Sequence, residues 1–136
     1  MFREKIKYTD FNDVEREEVF CFHISKAEMS RKEFTTEGGY SAYLKRIMDN
    51  KDSVELYKTF EELVGLSFGR ISDDGRTFIK KENGVPLFES FKNSPAYDVL
   101  IMKLFDADYA AKFVRNIFPQ DIVNQMKADE LKQIVE

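Results

Sequence analysis

The sequence predicts an α+β fold that is mainly α: an N-terminal β-hairpin, then a compact bundle of short helices, with a second short hairpin near residues 70–80. Three observations predict it. Residues 4–11 and 16–24 alternate between apolar and polar positions on either side of Asn12-Asp13, a pair that tolerates left-handed backbone. From Ser25 onward, apolar residues recur at helical spacing in short stretches separated by Gly, Asn, Ser and Pro. Ser72-Asp-Asp-Gly75 is a turn signal set between Ile71 and Phe78-Ile79.

A chain of 136 residues fits one domain, and one of that size buries roughly two-thirds of its unfolded surface. No repeat, low-complexity tract or interdomain linker divides it, so residues 1–136 are read as a single domain. The hairpin takes about 4–24, the helical body 25–118 and a C-terminal helix 120–135.

In the first strand Ile6 and Tyr8 share a face, opposite Lys5, Lys7 and Thr9. In the second, Phe20, Phe22 and Ile24 face one way and Val19, Cys21 and His23 the other. Two fairly apolar faces mean a strand covered on both sides, or one whose second side meets a partner. An isolated two-stranded hairpin is marginal in water, so it must pack on the helices or gain a third strand.

Ser25-Lys-Ala-Glu28 has the form of a capping box, opening a helix over 26–34. After Gly38-Gly39, Tyr40, Tyr43, Leu44, Ile47 and Met48 mark a second helix ending near Asn50. Asp52-Ser-Val-Glu55 is a second capping box, opening a helix over 53–67 whose stripe is Leu56, Tyr57, Phe60, Leu63 and Val64, with Gly69 as its C-terminal stop. Glu82 to Pro86 reads as a loop and Leu87 to Phe91 as a short helical turn. Ser94-Pro95 caps a helix running to Phe105 with Tyr97, Leu100, Ile101 and Leu104 inward. Asp106 caps the next, through Ile117, bearing Ala110, Phe113, Val114 and Ile117. Pro119 ends or restarts the helix, and the polar stretch beyond it carries apolar residues at Ile122, Val123, Met126, Leu131, Ile134 and Val135.

Composition narrows the function. Hydrophobic residues make up 43% and charged residues 34%, a globular rather than disordered balance. Lys and Arg are interspersed with Asp and Glu at a net charge of −4, which argues against nucleic-acid binding, since that depends on a dense basic face. The N-terminus has no apolar core and no apolar run approaches about 20 residues, so neither a signal peptide nor a membrane span is predicted. One cysteine, Cys21, suits a reducing compartment. The chain reads as soluble and intracellular.

Reaction chemistry finds no footing. Cys21 and His23 point the same way on a strand, but zinc needs at least three protein ligands and there is no further Cys or His. Asp73-Asp74-Gly75 lacks the later ligands of a calcium loop and reads as a turn. Glu17-Glu18 and Glu61-Glu62 read as solvated faces, no glycine pattern makes a phosphate loop, and Ser67 is in no nucleophile elbow. No catalytic residue, cofactor or metal is predicted, which leaves binding. Phe88, Phe91 and Tyr97, around a loop and a helix start, are candidate partner contacts, with core packing as the alternative. So are Ile122, Met126, Leu131 and Ile134 on the C-terminal helix, with packing back onto the domain as theirs.

Several stretches together resemble the phage tail assembly chaperones. KYTDFNDVEREEVFCFHISKAEM is similar to their Y-T-D-[FY]-N-G-x-E-R hairpin and the L/I-S/T-K-A-E helix start that follows. Gly38-Gly39 stands where they carry Gly-Gly before the second helix. FGRISDDGRTFIKK resembles their Y-G-x-K-S-x-D-G-R-x-F-x-K segment, and SPAYDVLIMKLFDADYAAKFVRNIFP their T-x-A-Y-x-x-L-x-x-x-L-x-x-D-x-x-A-A-x-F-x-x-x-I-x-P segment. The likeness covers residues 5–120. Asp13 replaces the usual glycine of the first turn, Phe68 replaces Tyr, and Gly84-Val85-Pro86 enlarges the loop before Leu87.

The resemblance implies a small, non-enzymatic helical protein made while a long-tailed bacteriophage assembles. Its implied partner is the tape measure protein, kept soluble until the tail tube polymerises around it, with the tail tube protein as a second candidate. Host cytoplasm is the implied location, and absence from the mature virion. In many relatives a ribosomal frameshift adds a C-terminal extension, for which the segment after Pro119 is the natural junction. A structural or connector component of the phage particle is the alternative. The two-faced apolar strand fits a homo-oligomer and a helix-covered monomer equally.

Overall fold

The computed structural model describes residues 1–50 and 53–119, the side chains at 48 and 50 excepted. The expected Asp52 cap, the Met48 position and the helix expected over 120–135 lie outside what is described.

The hairpin consists of β1 (Phe2–Thr9) and β2 (Glu15–Phe22), paired antiparallel from Phe2 opposite Phe22 to Thr9 opposite Glu15. Its turn is built by Asp10, whose carboxylate accepts the Asn12 amide at 2.8 Å, the Val14 amide at 3.0 Å and the Arg16 side chain at 2.6 Å. Asp13 takes a left-handed φ of 62°, the conformation an Asp tolerates where glycine would be easier. The strands begin and end about two residues earlier than the alternation suggested, because the Phe2 ring completes the buried face and sits edge-on to Phe113, 5.4 Å away. Phe2, Ile6, Phe20 and Phe22 lie on that inner face.

Three helices follow: α1 (Lys26–Thr35), α2 (Tyr40–Asn50) and α3 (Ser53–Ser67). Both arms of the Ser25–Glu28 capping box form, each at 3.1 Å. Helix α3 passes into β3 (Phe68–Ile71) with no connecting loop. The Ser67 hydroxyl closes the helix by donating to the Leu63 carbonyl at 2.6 Å, and the Ser67 carbonyl accepts the His23 amide at 2.8 Å. Gly69 is therefore not a helix stop. It lies inside β3, opposite Cys21, where β3 joins the hairpin as its third strand.

The second hairpin forms as expected around Ser72–Gly75, pairing β3 with β4 (Phe78–Ile79) and giving one antiparallel sheet of order β1-β2-β3-β4. The stretch expected as a loop at 82–86 is instead a minimal hairpin of β5 (Lys81–Glu82) and β6 (Val85–Pro86). Asn83 and Gly84 both have positive φ, 51° and 77°, the combination a two-residue hairpin turn requires. Then come α4 (Leu87–Lys92), α5 (Pro95–Lys103) and α6 (Ala107–Ile117). Pro95 sits at the first turn of α5 as expected, but the Ser94 hydroxyl turns back to the Phe91 carbonyl at 2.7 Å instead of capping the helix.

The core lies between the inner face of the sheet and the helices: α5 and α6 rest on β1, α3 on β2 and α4 on β3. Phe22 is its centre, with the rings of Phe2, Phe68, Phe91 and Phe113 all within 6.2 Å. Each fully buried ring of this kind stabilises the fold by about 1.5–3 kcal/mol. Leu63, Val64, Leu100, Leu104 and Ile117 complete the interior. The outer face of the sheet is open to solvent at Lys5, Lys7 and Val19, the last 57% exposed, so among the described residues β2 is covered by helices on one side only.

Candidate partner-binding surface

The most exposed aromatic contact of the helical body forms where α5 meets α6. The Leu104 amide donates back to Leu100 and the Asp106 amide to Lys103, which ends α5. The Asp106 carboxylate then accepts the Asp108 amide at 2.9 Å and the Tyr109 amide at 3.1 Å, which starts α6. One residue is left between the two caps, Leu104 and Asp106: Phe105. It stands just before the cap of α6, where an apolar residue ordinarily packs on the fourth helical position as a hydrophobic staple. That position is Ala110, too small to cover a phenyl ring. Phe105 accordingly remains 55% exposed and stacks on Tyr57 of α3, itself 40% exposed, with ring centroids 6.4 Å apart and planes 19° from parallel.

Beside Phe105 lies a groove of about 420 Å³. One wall is the α3 row Ser53, Leu56 and Phe60, the other the α6 row Ala107 and Ala110, with Leu104 and Phe105 closing it. The α3 row spans about 10 Å, close to two helical turns. Among the described residues its lining carries no ionisable group, and the Ser53 hydroxyl is its one polar side chain. What it can do is take apolar side chains out of water. Val54 and Met102 add exposed apolar surface on α3 and α5.

Phe88, Phe91 and Tyr97, singled out from the sequence, do not line this groove. Phe91 is 4% and Tyr97 5% exposed: Phe91 stacks on Phe68 at 4.2 Å, and Tyr97 meets it edge-on at 5.8 Å, so both rings serve the core. Burial pushes the pKa of the Tyr97 hydroxyl up to about 12, and that hydroxyl has no hydrogen-bond partner among the described residues. Phe88 is half-buried, edge-on to Tyr97 and against Gly65, where a Cβ would come within 3.1 Å of its ring. Ile122, Met126, Leu131 and Ile134 lie outside the described residues. By helical spacing Tyr57 belongs to the apolar stripe of α3 and Phe105 to the end of a helix, and neither position by itself marks a surface. The staple position of Phe105, paired with an alanine, is the sequence signal that marks it.

Cys21 pairs with Gly69 in the sheet, and the His23 ring lies edge-on to Phe78 at 5.6 Å with its Nδ1 buried and unbonded. Burial first, then the amino terminus and Lys80, lower the pKa of His23. Asp74 accepts the Ser72 hydroxyl at 2.7 Å and the Arg76 amide at 3.0 Å, tying the turn together. Among the described residues no group of three His, Cys, Asp or Glu could hold a metal ion, and no helix is long and apolar enough to cross a membrane.

A family model described as phage tail assembly chaperone matches residues 1–136, the whole chain. No curated protein and no solved structure matches it.

Proposed function

The chain belongs to the phage tail assembly chaperones, and we propose that it serves tail assembly by binding the tape measure protein and keeping it soluble until the tube closes around it. The role needs no turnover, and we read the protein as non-enzymatic, at work in the host cytoplasm and absent from the mature virion. The observation that carries this reading is the apolar groove between α3 and α6, with Phe105 of the exposed Tyr57–Phe105 stack in its lining and no ionisable group among its described residues. A holdase needs such a surface, with a charged exterior to remain soluble. Two turns of an amphipathic helix, presenting one or two large apolar side chains, match the groove's length. Ile122, Met126, Leu131 and Ile134 stay in the proposal as a second contact to the same partner.

Co-expression tests it directly. The tape measure protein should be soluble and co-purify with this chain, and should aggregate without it. A tape measure protein equally insoluble in both cases overturns the reading. Mass spectrometry of purified virions tests the location, where a stoichiometric copy number would point to a structural component of the particle.

A further inference from the structure

We propose that the free edge of β1 is a separate interaction surface, which takes up an extended acidic segment of another protein as a fifth strand of the sheet. Strand β1 is outermost in the order β1-β2-β3-β4, and among the described residues no strand pairs with its far side. Its eight residues match β2 one to one, without a bulge or a proline. The edge is therefore regular from Arg3 to Thr9, about 20 Å. Natural sheets interrupt, cover or charge so long an edge. Here charge is the device.

The ladder decides which groups face outward. The Asp10 amide donates to the Val14 carbonyl at 2.9 Å, closing the hairpin. Hydrogen-bonded pairs alternate along an antiparallel ladder, so Tyr8, Ile6, Glu4 and Phe2 exchange their bonds with β2. The other side of β2 agrees, because His23, an odd position, donates its amide to Ser67 toward β3. That leaves the amides and carbonyls of Arg3, Lys5, Lys7 and Thr9 directed away from the sheet. All four residues are exposed, with side chains on its outer face.

The free backbone groups are thus flanked by a basic row. Among the described residues Glu17 is the carboxylate that pairs with this row, 2.7 Å from Lys5 and 3.8 Å from Lys7. Arg3 stands opposite Cys21 and Lys5 opposite Val19, so the row keeps a surplus of positive charge.

That surplus selects the occupant. An added antiparallel strand must set its own bonding residues opposite Arg3, Lys5, Lys7 and Thr9. A second copy of β1 offers only the same four, so any register that engages most of the edge puts basic residues opposite basic ones, which destabilises a ladder. A segment with Asp or Glu at alternate positions meets the row with opposite charge instead. The inner face adds no charge requirement, because Glu4 is held by Lys103 at 3.1 Å and Glu18 by the Tyr8 hydroxyl at 2.6 Å. Main-chain bonds then supply affinity, and the alternating carboxylates supply register and choice. This surface shares no residue with the groove between α3 and α6, and the proposal holds whatever fills that groove.

Three synthetic heptapeptides test it on the full chain, read by nitrogen-15 amide spectra and hydrogen exchange. The first alternates Glu with Thr and Val, the second carries Lys in place of each Glu, and the third is the first with its Glu amides N-methylated. At millimolar peptide and low salt, the first should shift the amides of Arg3, Lys5, Lys7 and Thr9 and slow their exchange several-fold. The other two should leave them unchanged, and the exposed substitution Lys7→Glu should weaken the first peptide several-fold. Unchanged amides with the acidic peptide overturn the proposal. Equal slowing by the lysine or the N-methylated peptide overturns it too, since the contact would then lack the charge selection or the strand pairing. Protection of these amides in the chain alone also overturns it, by making a second copy the occupant if it grows with concentration and the chain itself if it does not.

Discussion

Phe78 occupies the space that a side chain on Gly69 would need: a Cβ at 69 would lie 2.6 Å from the Phe78 ring and 2.5 Å from the Ile79 carbonyl oxygen. The constraint is one of room, since Gly69 has ordinary extended backbone. Strand β4 closes over β3 tightly enough to bring Phe78 against His23, across the sheet from the core. A ring could swing aside, but a backbone carbonyl cannot without unpairing β4. Gly69→Ala is therefore expected to cost about 1–3 kcal/mol, the range for overpacked sites. Urea denaturation measures it, and a loss below about 0.5 kcal/mol would mean that β4 shifts freely.

Tyr97→Phe is expected to go the other way. The ring is buried between Phe88 and Phe91 and survives the substitution, while the hydroxyl that is removed has no partner. A buried polar group left unbonded carries a desolvation cost of about 1–3 kcal/mol. The variant should match or exceed the parent in thermal stability, by up to about 1 kcal/mol. A clear loss would reveal a bonded hydroxyl.

What the sequence made legible is what short-range chemistry decides. The hairpin, the Ser25 and Asp106 caps and the Ser72–Gly75 turn are each settled within a few residues. Asn83-Gly84 was readable in the same way, as the turn of a two-residue hairpin, and only the brevity of its strands hid it. Gly69 reads as a helix stop because its reason for being glycine lies nine residues away, in the ring of Phe78. Tyr57 was misread for a different reason. Its angle on the helix agrees with Phe60 and Val64, but it sits a turn nearer the start of α3, where it meets Phe105 at the surface instead of the interior. Helical period gives the direction of a side chain and not whether the core extends that far. The candidate groove depends on that second fact, so it could not be found by period alone.

His23 should make stability fall as the solution is acidified from neutrality. Burial, the amino terminus and Lys80 hold its pKa below the ordinary value of about 6.5. The unfolded chain then binds a proton more readily than the folded one, so the stabilisation is complete above about pH 6.5 and declines as pH drops toward the folded value. Glu28 acts lower on the scale. Burial opposes its charge, but Lys80 and the Ser25 amide outweigh that and keep it below the usual carboxylate range, so its share is lost only under about pH 4.5. Unfolding free energies between pH 7 and pH 5 should therefore slope in the parent and flatten in His23→Asn. An equal slope in both would assign the effect to other groups.

Binding and folding should separate cleanly between an exposed aromatic pair and a buried ring. Tyr57 and Phe105 stack on each other at the surface, and Phe105 lines the groove, so replacing both with Ala should cost little stability, about 1 kcal/mol, near the value of an aromatic pair. Phe91 is packed among Phe20, Phe22, Phe68 and Tyr97, and Phe91→Ala should cost about 3–5 kcal/mol, the range for a buried phenyl removed from a core. If the groove holds the tape measure protein, the folded Tyr57→Ala/Phe105→Ala double variant should lose most of its co-purified partner. A folded Phe91→Asp is unattainable on this account, but Phe91→Leu, which keeps an apolar filling, should retain binding in proportion to the fraction folded. The decisive comparison is co-purification normalised to folded chaperone, measured by circular dichroism on the same samples. Equal recovery with the double variant and the parent would remove the groove as the contact and leave the segment after Pro119 to account for binding.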